Sequence, residues 1–206
     1  MTQEDVLRDI SAYIDQEVGL PEGSELSVRT RFINKAEKEW AGAYSWRELR
    51  DTLEITDTDT ELPSDFKKLM TPVYDVTQDV NNQYIEIKPD ERFSKSSTDR
   101  YCYIIGTTLK INPAPTAGAS LIADYQKIPT GSTSLGYISP CPRGDYLSTK
   151  AIAMILEARS DNRFPLVKAD ANQILLQMIE EQDTPSGAQV NRVPDWVRSS
   201  GYRIGE

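Results

Sequence analysis

The stretch Ile104-Ile105-Gly106-Thr107-Thr108-Leu109-Lys110-Ile111-Asn112-Pro113-Ala114-Pro115, followed by Ser120-Leu121-Ile122-Ala123-Asp124-Tyr125-Gln126-Lys127-Ile128-Pro129, decides the fold. Its β-branched and aromatic residues favour pleated backbone, Gly106 permits a tight turn, and Pro113 and Pro115 stop the second run. It predicts strand, turn, strand, loop and third strand. On both sides of it the apolar spacing turns helical. The fold class predicted is α+β: a helical bundle of about four helices, an inserted antiparallel β module and an extended C-terminal arm.

On the N-terminal side, Val6, Ile10, Ile14 and Val18 recur every four residues over 3–18, an amphipathic helix ended by Gly19 and Pro21. A second helix, capped by Ser24 or Ser27, repeats Val28, Phe32, Ala36, Trp40 and Tyr44. The two matching stripes predict a helical hairpin over 1–45, with Trp40 and Tyr44 as core. The β module is expected over 46–130. Within it Asp57-x-Asp59-x-Glu61 has the spacing that opens a calcium loop, but the sixth and twelfth positions are Leu62 and Lys68, where such a loop needs Gly and a bidentate Glu. It reads as an acidic turn, not a metal site.

Leu62, Phe66 and Leu69 recur at helical spacing after Pro63 and predict a one-turn helix plugging the module. Val73–Thr77 and Tyr84–Ile87 alternate as strands, and Pro89–Arg100 reads as a short surface helix or a loop. The Gly-, Ser-, Pro- and Thr-rich segment from Thr130 is a long loop, ordered or mobile, taken over 131–144. A second helical hairpin is expected over 145–184: Asp145–Arg159 carries Leu147, Ala151, Met154, Ile155 and Ala158, and Pro165 suits the first turn of a last helix.

Over 185–206, Pro185, Gly187 and Pro194 prevent a regular helix, yet apolar residues and arginines alternate. Arg192, Val193, Trp196, Val197, Arg198, Tyr202, Arg203 and Ile204 combine the residue types that dominate interface energetics. Such a segment either folds back on its own body or docks into another subunit, and docking is the reading favoured.

Charge and composition exclude several classes. The 206-residue chain is 38% hydrophobic, enough for one ample core or two small ones, and its net charge of −9 disfavours a general nucleic-acid binder. Seven acids against Arg8 alone lie in residues 1–25, and six acids with no base lie in 51–66, whereas 26–50 and the last 22 residues are weakly basic. Such unevenness suits contacts between copies or with another protein, or simply solvated faces. The acidic first twenty residues and the lack of any long apolar run predict a soluble product made in the cytoplasm, with no membrane contact.

Cys102 and Cys141 have no metal-type spacing, and Cys102 reads as a buried small hydrophobe. There is no His at all. Nor is there a nucleophile elbow or a phosphate-cradling Gly motif, so no catalytic, metal or cofactor site is assigned and the reading is not an enzyme.

The order of elements resembles a tailed-bacteriophage head-to-tail adaptor, also called a connector or head-completion protein. Three places carry the resemblance: Phe32-Ile33-Asn34-Lys35-Ala36 with Trp40 and Trp46-Arg47; Leu62-Pro63-Ser64-Asp65-Phe66-Lys67-Lys68-Leu69; and the Ile104 to Pro115 hairpin with the strand end Tyr125-Gln126-Lys127-Ile128-Pro129. It implies a structural virion protein at the capsid vertex, or neck, forming a homo-oligomeric ring, usually dodecameric, beneath the portal. Such a ring extends the DNA channel towards the tail, with DNA passing through non-specifically. The implied partners are the phage portal protein, neighbouring copies and a downstream tail or neck protein, with the C-terminal segment as the portal-docking arm. A tail-tube or tail-completion subunit is the nearest alternative, and a cell-wall hydrolase the distant one.

Overall fold

The computed structural model describes residues 1–16, 19–76, 83–115 and 119–183. The hairpin that decides the fold is present as β6 (Tyr101–Ile105) and β7 (Thr108–Asn112), paired antiparallel, with Gly106 at φ 62° in the turn between them. The third strand of the stretch, β8 (Leu121–Lys127), is the hub of an eight-stranded sheet. One edge of β8 carries β1 (Arg50–Ile55). Its other edge is shared by β4 (Val73–Asp75), opposite Leu121 and Ile122, and β3 (Phe66–Leu69), opposite residues 125–127.

From β4 the sheet continues through β5 (Gln83–Glu86), β6 and β7 to β2 (Asp59–Glu61). β1 and β2 thus stand at the two ends of the path, yet only residues 56–58 join them. A linker that short spans at most roughly 14 Å, so the sheet must curl until its edges stand side by side. This near-barrel encloses a core that includes Leu53, Ile55, Val73, Tyr84, Cys102, Leu109, Leu121, Ala123 and Tyr125.

Three expectations for this region are corrected. Residues 66–69 form a strand, not a one-turn helix. The register shifts between Phe66 and Lys68, and that bulge turns both Phe66 and Leu69 to the core, producing a three-residue spacing that imitates a helix. Phe66 stacks on Tyr125 with ring centroids 5.6 Å apart. The acidic turn is itself partly a strand, β2. The module is not wholly antiparallel, because β5 and β6 pair in parallel. The connection between them includes a 3₁₀ turn at Glu91–Ser94 and carries the chain back to the same end, which a tight hairpin cannot do.

Among the described residues four helices accompany the sheet: α1 (Gln3–Ile14), α2 (Gly23–Ala43), α3 (Gly144–Ala158) and α4 (Phe164–Asp183). α1 starts with a capping box in which the Thr2 hydroxyl accepts from the Asp5 N–H and the Asp5 carboxylate accepts from the Thr2 N–H. It ends at Ile14, short of the expected 18; Val18 lies outside the described residues, as does Thr77. Neither Ser24 nor Ser27 caps α2, whose N-cap is Glu22.

The helices are arranged around α3, which touches the other three, while α1 also meets α2. Ten of its fifteen residues are buried, nearly all round the helix, which puts it at the centre of the helical part. The stripe of α2 is also rotated from the one expected. Val28 is exposed and Phe32 half-buried, while Arg29, Ile33, Ala36, Glu37 and Trp40 face inward. Trp40 and Trp46 are fully buried and stacked at 5.0 Å, and the Trp46 indole N–H donates to Trp40 O at 2.6 Å.

The sheet joins the helices at the C-terminal end of α2. There Lys67 Nζ donates to Ala41 O at 2.9 Å, and Gln126 Nε2 donates to Tyr44 O at 3.0 Å.

Candidate interaction surfaces

The portal-docking arm expected from the sequence, comprising Arg192, Val193, Trp196, Val197, Arg198, Tyr202, Arg203 and Ile204, lies outside the described residues. Its root does not. Tyr44 Oη donates to the Asp183 carboxylate, Arg47 Nη2 donates to Gln182 O at 2.5 Å, and Gln182 Nε2 donates to Glu48 at 2.9 Å. The Tyr44 hydroxyl is pushed above its ordinary range chiefly by that hydrogen bond to Asp183. The segment between α2 and β1 therefore grips the last turn of α4 where the two cores meet. Arg47 and Glu48 gave no sequence signal for this, because their partners are more than a hundred residues away.

The loop over 131–144 is ordered against α1 and α2. Asn34 brackets Ser132 with two hydrogen bonds, Nδ2 to Ser132 O at 2.9 Å and Ser132 N–H to Oδ1 at 3.2 Å. Gly131 makes this approach possible: its φ is 69°, and a Cβ there would stand 2.9 Å from Asn34 Cγ. Gln3 N–H donates to Tyr137 O and Glu4 N–H to Leu135 O, so the loop also takes up two orphan donors of the first turn of α1.

Glu37, 1% exposed, completes the clamp. Its carboxylate accepts from the Tyr137 hydroxyl at 3.1 Å and from Ser139 Oγ. Burial pushes the Glu37 carboxyl above its ordinary range, against the pull of those hydroxyls.

Between this loop and α2 runs a groove of about 650 Å³. Leu26 and Asn34 line it, Thr133 forms part of its far wall, and Arg31, Lys35 and Lys38 stand along it at helical spacing. In a chain of net charge −9 this is a local reversal of sign. A second surface lies where the Glu91–Ser94 turn meets the β6–β7 hairpin. Phe93 is 81% exposed and Ile105 43%, beside a hollow of about 500 Å³ also lined by Pro89 and Ile104. Arg92 lies over the rings of both Phe93, at 4.6 Å, and Tyr103, at 5.3 Å. Exposed aromatic, isoleucine and arginine together make a surface suited to protein contact.

The two thiols, by contrast, are poorly placed to react. Burial pushes both Cys102 and Cys141 up to about 12, so each stays protonated. No group of His, Cys, Asp or Glu among the described residues could hold a metal ion, and among those residues no helix is long and apolar enough to cross a membrane.

Exposed charged and aromatic surfaces on an α+β body suit assembly contacts. The sequence model of the family described as SU10 adaptor protein matches residues 1–193, and the chain belongs to that family of phage head-to-tail adaptor proteins. The resemblance read from the sequence is borne out, and the chain is a phage adaptor, a virion component whose family implies contacts with other virion proteins. No curated protein matches it in a sequence search.

Proposed function

We propose that the chain assembles as a dodecameric ring beneath the phage portal, at the neck, and extends the DNA channel to a downstream tail or neck protein. The observation that carries this reading is the family match over nearly the whole chain. Its acidic balance supports a channel role, since a net charge of −9 repels DNA phosphates and lets the genome slide instead of adhering. It works as structure, not as catalyst, and is made in the host cytoplasm.

The bridge to the portal is the arm over 185–206, with Trp196 and Tyr202 as anchors and Arg192, Arg198 and Arg203 as polar partners. The grip of Tyr44, Arg47 and Glu48 on the end of α4 supports this assignment, because an arm transmits a docking contact only if its root is held.

Co-sedimentation with the portal of the same phage tests the arm. A chain lacking Pro194–Glu206 is expected to keep the far-ultraviolet spectrum of the full chain and lose co-sedimentation, and Trp196→Ala to lose most of it. A truncated chain that sediments with the portal as fully as the intact one would sink the assignment.

A further inference from the structure

Two same-sign clusters in this molecule make no ion pair among the described residues. Arg31, Lys35 and Lys38 are exposed along the α2 groove, and none is in an ion pair among the described residues. Around the β1–β2 turn Glu54, Asp57 and Glu61 are likewise exposed and without an ion pair among those residues, although their neighbours Asp51 and Asp59 are paired with Lys127 and Lys110.

The two clusters cannot satisfy one another within one chain. Among the described residues no helix packs along a strand, and α2 meets the sheet at its C-terminal end. From there Lys35 lies roughly 12 Å back along the helix. The acidic turn lies about 17 Å out along β1, which starts at the same junction with Arg50 opposite Gln126. Nor does the cation row face α1. Arg29, which reaches Ser11 and Asp15 of α1, precedes Lys38 by roughly two and a half helical turns, which puts Lys38 on the opposite side of α2.

We propose that the basic groove of one copy receives the acidic β1–β2 turn of a second copy of this chain. The contact rests on the ring reading above and gives that ring its subunit-to-subunit joint. Three unpaired cations meet three unpaired carboxylates. Every copy carries one groove and one turn on different parts of its surface, so the contact is heterologous, the kind that closes into a ring when the rotation permits. The groove's concavity and its apolar lining at Leu26 suit an exposed turn better than a sliding duplex. Exposed ion pairs are individually weak and salt-screened, so this joint sets register and direction while the portal supplies the template.

The test uses the full-length chain with its cognate portal, counting copies on the portal by negative-stain imaging at low salt. Two reversals are made, Lys35→Glu with Lys38→Glu in the groove, and Asp57→Lys with Glu61→Lys in the turn. All four positions are exposed, and circular dichroism checks the fold. Either reversal alone is expected to raise the concentration needed for ring formation by about tenfold or more. An equimolar mixture of the two variants, or both reversals in one chain, is expected to restore it, since each reversed groove then meets a reversed turn.

Single reversals that form rings like the parent chain would overturn the joint and leave the ring standing. So would a loss that neither the mixture nor the combined variant rescues. Unchanged rings with weakened retention of DNA would give the groove to phosphate instead. A parent chain that forms no ring on the portal would remove the ring reading and the joint together.

Discussion

Glu37→Gln and Glu37→Ala separate what the buried carboxylate does as an acceptor from what it costs as a charge. In the native chain it accepts from Tyr137 and Ser139 and fastens the 131–144 loop to α2, with no lysine or arginine paired to it among the described residues. Alanine removes the acceptor for two half-buried hydroxyls and leaves a void, a loss of about 3 kcal/mol from two charge-assisted bonds discounted for partial exposure. Glutamine keeps one acceptor oxygen and removes the desolvated charge, so at pH 7 it should lie within about 1 kcal/mol of the parent.

The pH dependence follows from the raised carboxyl. Between the unfolded value near 4.5 and the higher folded value, the native state holds more protons than the unfolded one, so the slope of stability with pH is negative for this group. Its contribution is fully present below the unfolded value and is lost as pH rises through the folded one. The difference in stability, Glu37→Gln minus parent, should therefore grow from acid towards neutral pH and then level off. Urea unfolding followed by tryptophan fluorescence measures it, since Trp40 and Trp46 lie in the same core. Equal losses for the glutamine and alanine variants, or a difference that stays flat with pH, would mean that the Glu37 carboxylate is not a desolvated acceptor holding the loop.

Three further outcomes follow from the packing. Trp46→Leu removes both the ring stack and the N–H donated to Trp40 O, and should lower stability by about 3 kcal/mol in the same urea assay, with a loss under about 1 kcal/mol counting against it. Gly131→Ala must adopt φ 69° with its Cβ against Asn34, and should cost about 1–2 kcal/mol and speed proteolysis within 131–144; unaltered cleavage there would contradict the close fit. Cys102 and Cys141, buried and held near a pKa of 12, should resist iodoacetamide at pH 8 until urea unfolds the chain, and prompt labelling of either in the native state would refute that placement.

The hairpin through Gly106 and the strand ending at Lys127 were legible because alternation and a required turn conformation are local signals. So were the four helices, each carried by its own apolar period. What escaped was set by distant partners. The bulge at Phe66 made a strand look helical, and β2 offers acids where a strand pattern needs apolar residues. The parallel pairing of β5 with β6 and the curl that brings β1 beside β2 depend on which strand each finds, which no local pattern states. In α2, Arg29 and Glu37 turn inward because Asp15, Ser11, Tyr137 and Ser139 meet them there. A period count over apolar residues discards both. The cations of the groove were visible as a weakly basic stretch, but the wall that makes them a groove comes from a loop about a hundred residues later, through Asn34 and Ser132.

The ring itself is open to cryo-electron microscopy of the full-length protein mixed with its own portal. A twelvefold density added to one end of the portal is expected, coaxial with its channel and with the end of α4 facing the portal. A portal that stays bare while the protein remains monomeric would contradict it.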